Sequence, residues 1–232
     1  VPFADCTNST GYVFTAARRL RFEGFTVTVT NLGIPTAAVS QRFQTLGQQH
    51  GREALANITD HLVPFVPRET TLVTLFAGAN DVNAMTAALD DGAGGADPAA
   101  YIDARVSDFG VDYATLLEGV RNRANARIIL LNLPNLGALP FLAAATLDHR
   151  RAAQRASVRI TTRAINPLAG PNIRVIDLMC DARLYQASAY SPDGFHPNDA
   201  GYGVFADEVV RAATLASYPA PQASCPQMTI VP

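Results

Sequence analysis

Alternating strand and helix signals predict an α/β protein whose parallel sheet is covered by helices on both faces. Two observations carry this. Four β-rich runs, Thr26–Thr30, Thr71–Phe76, Arg127–Leu133 and Ile173–Asp177, are separated by long stretches of helical spacing. The alternation also runs on without an internal repeat or a dividing linker, so 1–217 reads as one domain and 218–232 as a C-terminal tail.

In chain order, Tyr12–Phe22 is amphipathic, with Val13, Ala16, Ala17 and Leu20 on one face and Gly24 as its stop. Thr26–Thr30 is β-branched throughout and bounded by Gly24 and Gly33, hence a strand. Thr36–His61 has helical spacing with a break near Gly47 or Gly51. Thr71–Phe76 is an uninterrupted strand run, and Asp90–Pro98 is a loop by composition. Its glycines lack the spacing of a phosphate cradle. Tyr101–Ala126 is helical with an interruption near Gly110. The third strand follows, then an Arg-rich helix over Leu147–Ile165, the fourth strand, and a last helix over Asp199–Ser217.

Composition narrows the function. Eighteen basic residues, all arginine, stand against 20 acidic ones without a basic cluster, so no nucleic-acid partner is expected. Charged residues make up 16%, below the ~25% of an average chain. The long uncharged run Ile128–Leu147 is broken by Asn132, Pro134, Asn135, Gly137 and Pro140, so no transmembrane segment is expected.

The three cysteines, Cys6, Cys180 and Cys225, form no CxxC pair, and the four histidines are scattered; no metal site and no cofactor are expected. Tethering the Pro-rich tail through a Cys180–Cys225 disulfide gives that tail a reason to be ordered, with Cys6 pairing upstream. The other reading is three reduced cysteines in a cytosolic enzyme.

Chemistry concentrates at strand ends, where ligand sites of parallel sheets lie. In Asp193-Gly-Phe-His196-Pro197 a carboxylate sits three residues before an imidazole. That spacing lets the acid hold Nδ1 while Nε2 faces outward as a base. Alone the tetrapeptide is also an ordinary turn. Gly78-Ala-Asn80-Asp81 closes the Thr71–Phe76 run. Asn80 there is either an oxyanion donor or, with Asp81, a helix cap. Asn31-Leu-Gly33-Ile-Pro35-Thr36 closes the first run, with backbone N–H groups able to face the same spot.

Taken together, N-x-G, then G-x-N-D, then D-x-x-H-P, each beyond a strand signal, resemble the block pattern of the SGNH (GDSL-like) hydrolase superfamily. Asp193–Tyr202 (D-G-F-H-P-N-D-A-G-Y) is the most characteristic stretch, and the resemblance spans about Tyr12 to Ser217. It implies a flavodoxin-like three-layer α/β/α fold with about five parallel strands and a serine esterase using a Ser-His-Asp triad. It also implies His196 as general base then acid, Asp193 as its orienter and Asn80 as an oxyanion donor. The block-two donor is Gly33 or Thr36; many relatives carry glycine where Thr36 stands, and glycine-like dihedrals would strain a β-branched residue.

The block carrying strand and G-D-S is absent. Ser9 has no strand before it, Ser40 lies in a helical run, and Ser188 and Ser191 flank the acid and base. The nucleophile and the first strand are therefore expected upstream of Val1. The implied substrate is a small-molecule or carbohydrate ester, and the expected location is secreted or extracytoplasmic in a bacterium. The alternative is a non-catalytic binding module that has lost its serine.

Overall fold

Among the described residues of the computed structural model, three parallel strands form the sheet, in the order β1 (Leu72–Phe76), β2 (Arg127–Leu131) and β3 (Ile173–Ile176). The structure describes residues 11–232, so Cys6 and Ser9 lie outside the described residues. Leu72 is in register with Arg127, and Ile128 with Ile173. The α-helices of the described residues surround the strands: α1 (Tyr12–Phe22), α2 (Gln41–Gln49), α3 (Ile58–His61), α4 (Ala79–Asp90), α5 (Pro98–Arg123), α6 (Leu147–Arg159) and α7 (Asp199–Thr214).

β2 shows why there are three layers. Successive strand residues face opposite sides, and both sides of β2 are apolar. Ile128 and Leu130 pack with Phe43, Met85, Phe109 and Leu116 from α2, α4 and α5. Ile129 and Leu131 pack with Ala16 and Leu20 of α1 and with Phe205 and Val209 of α7. Each such fully buried side chain contributes roughly 1.5–3 kcal/mol. The result is a three-layer α/β/α arrangement around a small parallel sheet.

β1 is different. Its run Leu72-Val-Thr-Leu-Phe76 is as apolar as β2, yet all five residues are only half-buried, and no described residue pairs with its outer edge.

Two sequence expectations are corrected here. Thr26–Thr30 forms no strand of the sheet; it runs in an irregular, largely exposed path, with Val27 packed against α1 and α7. A β-branched run becomes a strand only where a partner ladder is available. Nor is α5 interrupted at Gly110, because Val106, Phe109, Tyr113 and Leu116 keep one continuous buried face across it. The expected break in Thr36–His61 does occur: α2 ends at Gln49 and Gly51 takes a positive φ of 71° before α3.

The tail is tied down as expected. Cys180 and Cys225 form a disulfide with a Cα–Cα distance of 5.7 Å. Beyond it, Gln154 of α6 exchanges two 3.0 Å hydrogen bonds with the backbone of Val231, and the Asn135 amide donates to the Gln227 carbonyl at 2.8 Å. Among the described residues no helix is long and apolar enough to cross a membrane.

Candidate functional site

The Asp193–His196 loop lies between β3 and α7 and is built by its own backbone. Asp193 Oδ1 accepts the N–H groups of Phe195 and His196 at 2.9 and 3.0 Å. This turn brings Oδ2 to 2.6 Å from His196 Nδ1. The His196 hydrogen bond is the main reason the Asp193 carboxyl lies below its ordinary range; desolvation opposes it, and the two backbone N–H groups add to the lowering. Asp193 thus stays ionised, holds the imidazole by Nδ1 and leaves Nε2 free to exchange a proton. Both side chains are about half exposed or more (50% and 64%), so water reaches the pair.

Glycine makes the turn possible. Gly194 has φ +69° and lies against the turn Pro140–Leu142 that follows β2; a Cβ there would sit 2.6 Å from the Phe141 nitrogen. The Phe141 N–H donates to the Gly194 carbonyl at 3.2 Å. Phe195 is wedged edge-on between Phe141 and His196, with centroid distances of 4.8 and 5.0 Å. Phe141 therefore buttresses the histidine. It carried no sequence signal, because the contact joins loops far apart in the chain. Behind the loop, Asn198 caps α7 by accepting the N–H groups of Ala200 and Gly201. Its amide also donates to the Ser188 and Tyr190 carbonyls.

The second element is the start of α4, just past the carboxyl end of β1. Gly78 precedes it at φ +121°, a region closed to side chains, and a Cβ would press on Leu133 and Phe109 at 3.2 Å. Asn80 is not a cap: its Nδ2 donates to the Ala37 carbonyl at 3.0 Å, which fixes the amide and leaves its second proton available. Asp81 does not cap either. It is fully buried, Oδ1 accepts the Val39 N–H at 2.9 Å, and Oδ2 has no partner among the described residues. Burial pushes its pKa up to about 7, partly offset by the Val39 and Asp81 N–H groups and reinforced by Asp112. Asn80 and Asp81 thus stitch two successive segments, Ala37 and Val39, to α4.

The third element separates the two block-two candidates. The Gly33 N–H is occupied, donating to Asn31 Oδ1 at 3.0 Å. Thr36 has φ +63°, the one positive value outside glycine among the described residues. Pro35 before it and the Ala37 N–H donating to Ile34 give the pattern of a type II turn, whose third position normally demands glycine. The Thr36 N–H has no partner among the described residues, while its Oγ1 accepts the Leu55 N–H at 3.2 Å.

The model of the GDSL-like Lipase/Acylhydrolase family matches residues 4–204. The chain belongs to this family. No curated protein matches it. Among solved structures, the lipase Lip_vut3 from a goat rumen metagenome superposes with a TM-score of 0.57 at 18% identity, over 95% of this chain and 92% of that one. At that identity the likeness speaks to fold alone.

Membership in the GDSL-like family makes the chain a hydrolase of ester-cleaving type in general terms. Among the described residues no serine hydroxyl is hydrogen-bonded to His196. Ser40 caps α2 and donates to Asp112 at 2.6 Å, and Ser191 Oγ donates to the Pro197 carbonyl at 3.4 Å.

Proposed function

We propose that the protein is a serine esterase that cleaves carboxylic esters through an acyl-enzyme intermediate. The Asp193–His196 pair carries the reading: an ionised carboxylate on Nδ1 and an outward Nε2 are what a triad base requires. In the first half-reaction His196 takes the proton of the nucleophilic serine as its oxygen bonds to the ester carbon. The proton then passes to the alcohol oxygen as the C–O bond breaks. Water repeats the sequence to release the acid. The oxyanion is met by the Asn80 amide and by the Thr36 N–H, which is free where that of Gly33 is engaged.

The nucleophile is a serine upstream of Val1, at the end of a strand that pairs with the open edge of β1 as part of a flavodoxin-like sheet of about five strands. The half-exposure of every β1 residue supports a further strand there, since parallel sheets are covered on both faces. The Cys180–Cys225 disulfide supports an extracytoplasmic location.

Fluorophosphonate labelling of the full-length protein tests the reading, with the modified residue located by peptide mass mapping. A labelled serine preceding Val1, with labelling abolished in His196→Ala, is the expected result. A folded protein that takes no label and cleaves no p-nitrophenyl ester would make the chain a binding module instead.

A further inference from the structure

A cavity of about 290 Å³ opens beside the two proposed oxyanion donors, with Thr36 and Asn80 in its wall. Its buried wall is small and apolar, made by Ala38, Phe43, Gly47, Ala54 and Ala84, while the exposed Gly51, Arg52 and Glu53 complete the lining and make its open side polar. The walls are held in place. The Gly47 carbonyl accepts the Arg52 N–H at 2.8 Å, and the side chains of Gln44 and Gln48 both donate to the Ala54 carbonyl. The Thr36 hydroxyl, which accepts from Leu55, ties the neighbouring segment to the donor loop. His196 and its loop do not line this cavity.

We propose that this cavity receives the acyl chain of the ester, and that Gly47 sets the chain length it accepts. The proposal rests on the esterase reading and deepens it. The chemistry assigns the two sides. His196 must protonate the leaving oxygen, so the alcohol lies toward the histidine. The carbonyl oxygen lies toward the oxyanion donors, which leaves the acyl chain to the space they border and His196 does not. Small apolar walls suit an unbranched chain of butyryl to hexanoyl type. Arg52 and Glu53 stand on the open side of the cavity, away from that wall.

Gly47 sits within α2, at ordinary helical φ, and a Cβ there would meet the Cβ atoms of Ala54, Ala84 and Arg52 at 3.6 Å. Alanine therefore fits without strain, whereas a larger side chain must project into the cavity. The experiment measures, in the full-length enzyme, the ratio of kcat/KM for p-nitrophenyl hexanoate over p-nitrophenyl acetate. Gly47→Leu is expected to lower that ratio by about tenfold or more, since each methylene excluded from an apolar pocket costs up to this much. Gly47→Ala lowers it by a smaller step and keeps the test alive if the leucine variant does not fold. A second series holds the acyl group as acetyl and lengthens the alcohol; neither variant should change its relative rates. An unchanged hexanoate-to-acetate ratio in folded variants, or a change confined to the alcohol series, overturns the pocket alone. A wild-type enzyme that cleaves no ester of either chain length overturns the esterase reading with it.

Discussion

Asp193 Oδ2 lies 2.6 Å from His196 Nδ1, and the same carboxylate's other oxygen holds the backbone of the turn that presents the histidine. Acid and scaffold are one side chain. His196→Ala is expected to lower kcat on a short p-nitrophenyl ester by roughly 10²–10⁴. Asp193→Asn should cost less than the ~10⁴ known where the orienting acid is buried, because water reaches this pair and can partly replace the carboxylate. Full activity in both variants would refute the assignment. The depressed Asp193 pKa also fixes a sign: its stabilising contribution is present above the unfolded carboxylate range and is lost only as pH falls through the lower folded value.

Asn80→Ala removes the proposed side-chain oxyanion donor and should reduce kcat by roughly 10²–10³, with much less effect on KM. The variant also releases the Ala37 carbonyl, so thermal unfolding belongs beside the kinetics. A fall in KM-linked affinity with kcat preserved would assign Asn80 to substrate binding instead.

Asp81 gives the opposite pH dependence to Asp193. Its folded pKa of about 7 lies above the unfolded ~3.9, so its stabilising state is the protonated one. Stability should be fullest at low pH, as far as this group is concerned, and decline as pH rises toward 7, by a few kcal/mol. Asp81→Asn keeps an acceptor for the Val39 N–H and cannot ionise. Urea unfolding of wild type at pH 5 and pH 8 should show this decline, and the asparagine variant should flatten it. Parallel pH curves for both proteins would refute a neutral, buried Asp81.

These two carboxylates mark how far the sequence could be read. Asp193 declares itself because its partners, Phe195 and His196, lie within the next three residues, so D-G-F-H already contains the geometry. Asp81 meets Val39, far away in the chain, and in sequence it passes for a helix cap. The same division runs through the fold. The cores of β1, β2 and β3 and all of α1 follow from local pattern, as does the disulfide from a tail with no periodicity of its own. Thr26–Thr30 was misread because strand formation depends on a partner that local composition does not reveal. Gly110 was misread because the buried stripe Val106, Phe109 and Tyr113 carries α5 through it.

Thr36→Gly tests the block-two assignment. Holding a β-branched residue at φ +63° costs roughly 1–2 kcal/mol, which glycine relieves. Glycine's greater unfolded-state freedom returns about 0.5–1 kcal/mol, and the bond to Leu55 is lost. The melting temperature should therefore change little. Since the proposed donor is the backbone N–H, turnover of p-nitrophenyl acetate should survive. A collapse of kcat in a folded Thr36→Gly protein would mean that the hydroxyl, and not the N–H, serves the reaction.

Gly194→Ala should misplace the base without touching it. The added Cβ would overlap the Phe141 nitrogen and the Pro140 carbonyl carbon at 2.6 and 3.0 Å, and φ +69° is itself unfavourable for alanine. The turn must shift, the edge-on contact of Phe195 with Phe141 is disturbed, and His196 moves with it. The expected signature is a fall in kcat larger than the fall in melting temperature explains, matched by Phe141→Ala. Wild-type kinetics in Phe141→Ala would remove the buttress from the argument.

Reduction of the disulfide should loosen the tail before it unfolds the sheet. The bond closes a loop between residues 45 apart in sequence, which the chain-entropy account values at about 4 kcal/mol. The tail is also held by Gln154 on Val231, Arg151 on the Pro232 carbonyl, Asn135 on Gln227, the Gln222 N–H on Asp177 and the Tyr218 hydroxyl on Glu208. Asn135 and Asp177 lie just past the ends of β2 and β3, so the tail is fastened to the edge of the sheet where the candidate site is built. Cys225→Ser should therefore lower the melting temperature and expose 218–232 to proteolysis. Hydrolysis should persist below the new transition, because the Asp193–His196 turn, Asn80 and Thr36 take their hydrogen bonds from elsewhere. Limited proteolysis with and without reductant, read by mass, decides it. Cleavage in the loop of Asp193 ahead of the tail would show that the disulfide supports the site itself.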